Sequence, residues 1–305
     1  MPAPGQRLEG PLLAWVLLTP AVLLLIVIIL YPVVNTVMLS FQSYNLMMPL
    51  ANKWVGLRNF HQVLTSPVYG FWRAARWSGL FGLLSTGIAF AIGFGFALIL
   101  NERLRFRTLW RGLALIPWVI PYVVVAYLFF YMFNSQYGIV NGVLTSIDLF
   151  GWRPFPEPLG WYGSGTLARI AVVTAAVWNR FPFFTLMLLA GMQTLSQELY
   201  DAAKVDGANA WERFRQVTFP GLRGIIAVVT TLSFVWSLNE FAIIWAMTNG
   251  GPGVATNNMV IHIYRTGFIE QRISVAATMS TLWLLILLLF TFFYIRVMEG
   301  KAAVE

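Results

Sequence analysis

The sequence contains no cysteine, which excludes disulfides, thiol nucleophiles and cysteine-built metal centres. Its only histidines, His61 and His262, are too few and too far apart to suggest a metal cluster. Charge is scarce as well: 10% of the residues are Asp, Glu, Lys or Arg, against about 25% in a soluble domain. No G-x-x-x-x-G-K-[ST] stretch occurs, so ATP is not bound through a P-loop. No grouping of nucleophile, base and metal ligand marks an enzyme active site. What is abundant is apolar surface, with 58% hydrophobic residues and a mean hydropathy of +0.71. A water-soluble globule could not bury that much, so the solvent is a bilayer. The net charge of +8 resembles a nucleic-acid signal, but the basic residues lie mostly in short loops between apolar runs. There they act as topology determinants, and no nucleic-acid partner is expected.

A spanning helix needs roughly 20 apolar residues. Six runs qualify: 12–33, 77–100, 109–133, 167–189, 224–247 and 273–297. The fold class expected is therefore an all-α polytopic membrane protein with six transmembrane helices. Arg7 precedes the first run as it would in a signal sequence, but the run outlasts a typical h-region and no A-x-A site follows it. It is expected to be a retained span. Pro20, Pro117, Pro121 and Pro182 fall inside spans, where neighbouring helices can satisfy the freed carbonyls.

One set of connections carries Arg7, Arg103, Arg105, Arg107, Arg111, Lys204, Arg213, Arg215, Arg223, Arg296 and Lys301. Its basic density marks it as cytoplasmic, which places both termini inside. The longest outer loop, 134–166, is rich in turn residues and offers Trp152, Trp161 and Tyr162 as interfacial anchors or contacts for an outside partner. In the second span, Ala89, Gly93 and Ala97 recur four apart, as do Gly87, Ala91 and Gly95. Such small-residue faces allow close helix approach, either within the chain or at a dimer seam.

The segment YDAAKVDGANAWERFRQVTFP, residues 200–220, is polar amid apolar neighbours. Ser196 can cap a helix beginning at Gln197, with Glu198 in its first turn. Leu199, Ala202 and Ala203 share a small, smooth face. Gly207 stands where a helix ends in a left-handed residue. Asn209 with Glu212 can start a second helix, which Pro220 ends. A short helix with such a face suits a groove on another protein. It equally suits rest on lipid headgroups.

The pattern D-A-A-x-x-D-G-A-x-x-x-x-x-F-x-x-x-x-x-P, carried by Asp201, Ala202, Ala203, Asp206, Gly207, Ala208, Phe214 and Pro220, resembles the E-A-A loop of permease subunits in ABC importers. Asp201 stands where that family usually has Glu. VGLRNF (55–60), ALIPWVIP (114–121), WNRFPFF (178–184) and MTNGGPG (247–253) resemble the sugar-type branch, the maltose and glycerol-phosphate permeases, and within it the first of two related permease subunits.

The resemblance implies a type I ABC importer permease fold in a bacterial or archaeal cytoplasmic membrane. It implies a second permease chain, two ATPase subunits that use ATP and Mg, an extracytoplasmic solute-binding protein, a sugar-class solute, and no cofactor bound by this chain. The loop residues would be mechanical, docking in a cleft of the ATPase. Solute contacts would fall at Trp118, Tyr122, Arg180, Phe183, Trp236, Ser237 and Glu240, with Asn239 facing elsewhere. Aromatic faces stack on a sugar ring while Arg, Glu and Ser bond hydroxyls. Arg180 could recognise an anionic solute, or Glu240 could neutralise it and leave a neutral one. The organisation expected is a segment 1–76 holding the first span and an outer loop, a five-span core 77–297 that includes a coupling loop 191–223, and a tail 298–305. The alternative is a self-contained secondary carrier, which would usually have more spans and internal repeats.

Overall fold

A computed structural model describes residues 11–44, 52–102 and 104–302. Arg7, Arg103 and parts of the expected first segment and tail lie outside them. The chain divides into two compact units, residues 1–71 with 263–285 and residues 72–262 with 286–305.

In the first unit, α1 (Pro11–Leu25) and α2 (Tyr31–Ser40) join through a wide helical turn at Ile26–Leu30. The run from Ala14 to Ser40 is the most apolar span, and none of its most apolar window is buried. Its two threonine hydroxyls turn back on their own helix: Thr19 donates to the Trp15 carbonyl at 2.6 Å and Thr36 to that of Pro32 at 2.8 Å. Both are thereby satisfied without water. Beyond it, β1 (Gln42–Ser43) pairs antiparallel with β2 (Lys53–Trp54). Asn59, in α3 (Arg58–Thr65), donates to the carbonyls of Ser40 and Gln42, both at 2.9 Å.

The second unit is built on α4 (Phe71–Asn101), α5 (Arg107–Val119), α6 (Tyr122–Met132), α7 (Ile139–Ser146) and α8 (Gly165–Met192). The most enclosed span is α8, whose Ala168, Ala171, Ala175 and Ala176 are buried. A Cβ added at Gly93 of α4 would stand 2.5 Å from the Phe184 Cβ and 2.6 Å from the Phe181 carbonyl. The Ala89–Gly93–Ala97 face is thus consumed by packing within the chain. The Gly87–Ala91–Gly95 face is not: nothing lies within 4 Å of a Cβ built at Gly87 or Gly95.

The chain continues through α9 (Gln197–Val205), α10 (Ala210–Arg213), α11 (Phe219–Gly221), α12 (Arg223–Leu238), α13 (Ala242–Thr248), α14 (Met259–Tyr264) and α15 (Ile273–Ala302). Among the described residues, four helices are individually long and apolar enough to cross a membrane, and there are up to six spans if each bent pair is one span.

Two expected spans are not continuous. The run 109–133 is α5 and α6, set at 90°. Pro121 lacks an N–H, so the Pro117 carbonyl loses its helical partner. Asn179 of α8 donates to that carbonyl at 2.7 Å. The run 224–247 is α12 and α13, separated at Asn239–Phe241. Trp161 is also not an interfacial anchor. It is buried, and its indole N–H donates to Asn141 Oδ1 at 3.0 Å.

Candidate functional site

The polar segment folds as its capping residues dictate. The Ser196 hydroxyl accepts from the Glu198 N–H at 3.2 Å. Gly207 takes φ +81. The Gly207 N–H donates to the Lys204 carbonyl at 3.0 Å and the Ala208 N–H to that of Ala203 at 2.9 Å. This is a Schellman ending. Asn209 and Glu212 form a complete capping box, with bonds of 3.0 and 2.7 Å. Arg213 then donates to the Ala208 carbonyl at 2.9 Å, closing the turn between α9 and α10.

The expected docking residues divide by exposure. Asp201, Ala202, Asp206 and Gly207 are exposed, and Ala203 and Ala208 half so. Val205, at 87%, and Trp211, at 67%, stand further out and extend the face. Sequence reading passed over both, although Val205 follows Leu199 and Ala202 at spacings of three. Phe214 is different. It is half-buried, stacks on Trp211 at 5.3 Å and meets Phe94 of α4 at 5.4 Å, which makes it the link from loop to span. Pro220 does not terminate the second helix. Helical backbone runs from Ala210 to Gly221, with a wide turn at Phe214–Thr218, and then bends by 69° into α12. The Tyr200 and Thr218 hydroxyls meet at 3.0 Å. Lys204 pairs with Asp201 at 2.9 Å. That hydrogen bond, with a second from Gln197, holds the Asp201 carboxyl below its ordinary range. Behind the loop, a cleft of about 990 Å³ is lined by Asn101 and Glu102 of α4 together with Tyr200, Asp201 and Arg213.

The second cluster lies within the spans. Trp118, Tyr122 and Trp236 are 43%, 44% and 42% exposed. The Phe183 ring, buried, lies 6.1 Å from Trp118 and 5.0 Å from Trp236, edge-on to the latter. Behind these rings Arg180 Nη2 pairs with Glu240 Oε2 at 3.0 Å, both side chains buried. Arg180 Nη1 donates to the Ser237 hydroxyl. Glu240 sits in the break after α12, where its Oε1 accepts the Ile243 N–H of α13 at 3.1 Å. Asn258 donates to the Glu240 carbonyl. Asn239 turns away and donates to the Val235 carbonyl of its own helix at 2.9 Å.

The charged exposed loop is thus joined to α4 through Phe214, and a buried ion pair lies within the spans beside aromatic rings. Residues 87–300 match the family described as the binding-protein-dependent transport system inner membrane component. The chain belongs to that family. Its relatives include the trehalose/maltose transport system permease protein MalF of Thermococcus litoralis, 34% identical over 93% of each chain. The sulfoquinovosyl glycerol transport system permease protein SmoG of Agrobacterium fabrum is 32% identical, over 95% of this chain and 91% of its own. The fold matches the bacterial alginate ABC transporter crystallised with an alginate pentasaccharide-bound periplasmic protein: TM-score 0.79, 21% identity, 93% of this chain and 92% of that one. The chain is thus the membrane-spanning subunit of an ABC importer, a transport component and not an enzyme. The self-contained secondary carrier is set aside.

Proposed function

We propose that this subunit forms, with a second permease chain, the path for a neutral carbohydrate or polyol delivered by an external binding protein. Two ATPase subunits, using ATP and Mg, would seat the α9 face around Asp201–Ala208, with both termini on their side of the membrane. The relatives named for trehalose/maltose and sulfoquinovosyl glycerol transport support the carbohydrate class, as does a third, a diacetylchitobiose uptake system permease, 31% identical.

One observation carries the neutral assignment. The Arg180 charge is met by Glu240 at 3.0 Å inside the protein. A guanidinium held by a buried carboxylate leaves no net charge for an anionic solute. What faces outward are the rings of Trp118, Tyr122 and Trp236, which suit the C–H faces of a sugar. Phe183 backs them, and Arg180, Ser237 and Glu240 fix their setting. The test is uptake of neutral and anionic sugars by the assembled transporter in proteoliposomes, with wild type and Arg180→Gln. Neutral-sugar uptake by the wild type, and equal loss for every substrate in the variant, is the expected result. Selective loss of an anionic substrate would refute the assignment.

A further inference from the structure

The hydroxyl of Ser237, beside Arg180, is fully occupied. A serine hydroxyl has one proton and two lone pairs. Ser237 Oγ donates to the Ser233 carbonyl at 2.8 Å. It accepts from Arg180 Nη1. Its remaining acceptor position is reached from α4 by Thr86 Oγ1 at 3.2 Å; Ser85 Oγ lies at 3.1 Å but gives its proton to the Phe81 carbonyl of its own helix at 2.6 Å. Thr86 Oγ1 also lies 3.4 Å from Ser233 Oγ. Ser85, Thr86, Ser233 and Ser237 are all buried. Nothing of Ser237 remains for a solute hydroxyl.

We infer that Thr86 of α4 is a positioning residue for transport, and that Ser237 is the hub through which it holds Arg180 and Glu240. The network ties three helices at one level: α4 through the Thr86 hydroxyl, α8 through Arg180, and α12 through Ser233 and Ser237. It continues into the break, where Glu240 caps α13 through the Ile243 N–H. Buried polar groups in a low-dielectric interior strongly favour the one arrangement that satisfies them all. The same α4 carries Phe94, which meets Phe214 of the cytoplasmic loop at 5.4 Å. A displacement of the loop is therefore delivered to a helix fastened to the setting of the solute path. The contact between α4 and α12 is maintained through the transport cycle. This rests on the proposal that Trp118, Tyr122 and Trp236 face the path.

The absence of cysteine allows a direct test. Thr86→Cys with Ser233→Cys, in the complete transporter with its partner permease and ATPases, places two thiols where the hydroxyl oxygens now lie 3.4 Å apart. Copper phenanthroline would oxidise them and dithiothreitol would reverse the bond. Uptake with the bond closed should stay within about twofold of the reduced protein, because the joined helices do not part. A fall of about tenfold or more, restored by reduction, would mean that α4 and α12 separate during transport and would overturn the inference. In parallel, Thr86→Val should lower the ratio of solute moved to ATP hydrolysed, and Thr86→Ser should preserve it. An unchanged ratio in Thr86→Val, or equal damage in both, would also overturn it. Trp236→Ala separates the underlying reading. Unaltered uptake there would refute the path, whereas the cross-link still decides whether the helices stay joined.

Discussion

Gly207 offers the sharpest test of the loop between α9 and α10, because the structure separates backbone strain from steric clash. Its φ is +81, and nothing lies within 4 Å of a Cβ built there. A larger side chain therefore meets no neighbour, and its penalty comes from the left-handed backbone alone. For Gly207→Ala that penalty is about 1–2 kcal/mol. Such a shift changes a population by a factor of about 5 to 30. The affected population is the Schellman ending that sets α9 against α10, so ATP-driven uptake should fall by that factor while the partner ATPases still bind ATP. Gly207→Asn should fall less, since asparagine is the residue other than glycine that most often occupies this position. Gly207→Val, β-branched, should fall most. The assay is initial uptake by the reconstituted transporter, normalised to assembled complex. If Asn were worse than Ala, or all three variants matched wild type, the strain argument would be wrong.

Three further outcomes follow from the same geometry. Removing one partner of the buried Arg180–Glu240 pair, as in Glu240→Leu, should destabilise the detergent-purified protein by about 3–5 kcal/mol, and Arg180→Met added to it should recover much of the loss; thermal unfolding of the single and double variants checks this. Gly93→Val should prevent folded insertion because its Cβ would stand 2.5 Å from Phe184, whereas Gly87→Val should insert normally, as judged by monodisperse yield from membranes. Asp201 has a depressed folded-state pKa owing to Lys204 and Gln197, so its contribution to α9 is present above the ordinary carboxylate pKa and is lost only as pH falls through the lowered value. Loop function should therefore be insensitive to Asp201 titration near neutral pH, and Lys204→Met should raise the Asp201 pKa, measurable by carbon-detected NMR.

Local chemistry was the most legible part of this protein. Hydropathy located the spans because the bilayer sets both their length and their composition. Ser196, Gly207, Asn209 and Glu212 announced the two short helices because each acts within four residues. The breaks were hidden. A proline in a spanning run is compatible with either a straight or a bent helix, and the outcome at Pro121 involves Asn179, 62 positions away from the Pro117 carbonyl it caps. The break at Asn239–Phe241 likewise involves Arg180 and Asn258. Thr86 gave no signal in the sequence, since a hydroxyl in a membrane helix usually bonds its own backbone, as Ser85 beside it does. Its role arises only when α4 lies beside α12. Phe214 belonged to a recognisable pattern, but its contact with Phe94 is tertiary.

The central claim is that this chain moves solute only with an engine it lacks. The most direct measurement is purification of the tagged protein from its native membrane in mild detergent, with mass spectrometry of what accompanies it and uptake measured in vesicles with and without ATP. A second permease and an ATPase in stoichiometric amounts, with uptake dependent on ATP, is the result this account expects. A chain that emerged alone and still moved solute without ATP would contradict it.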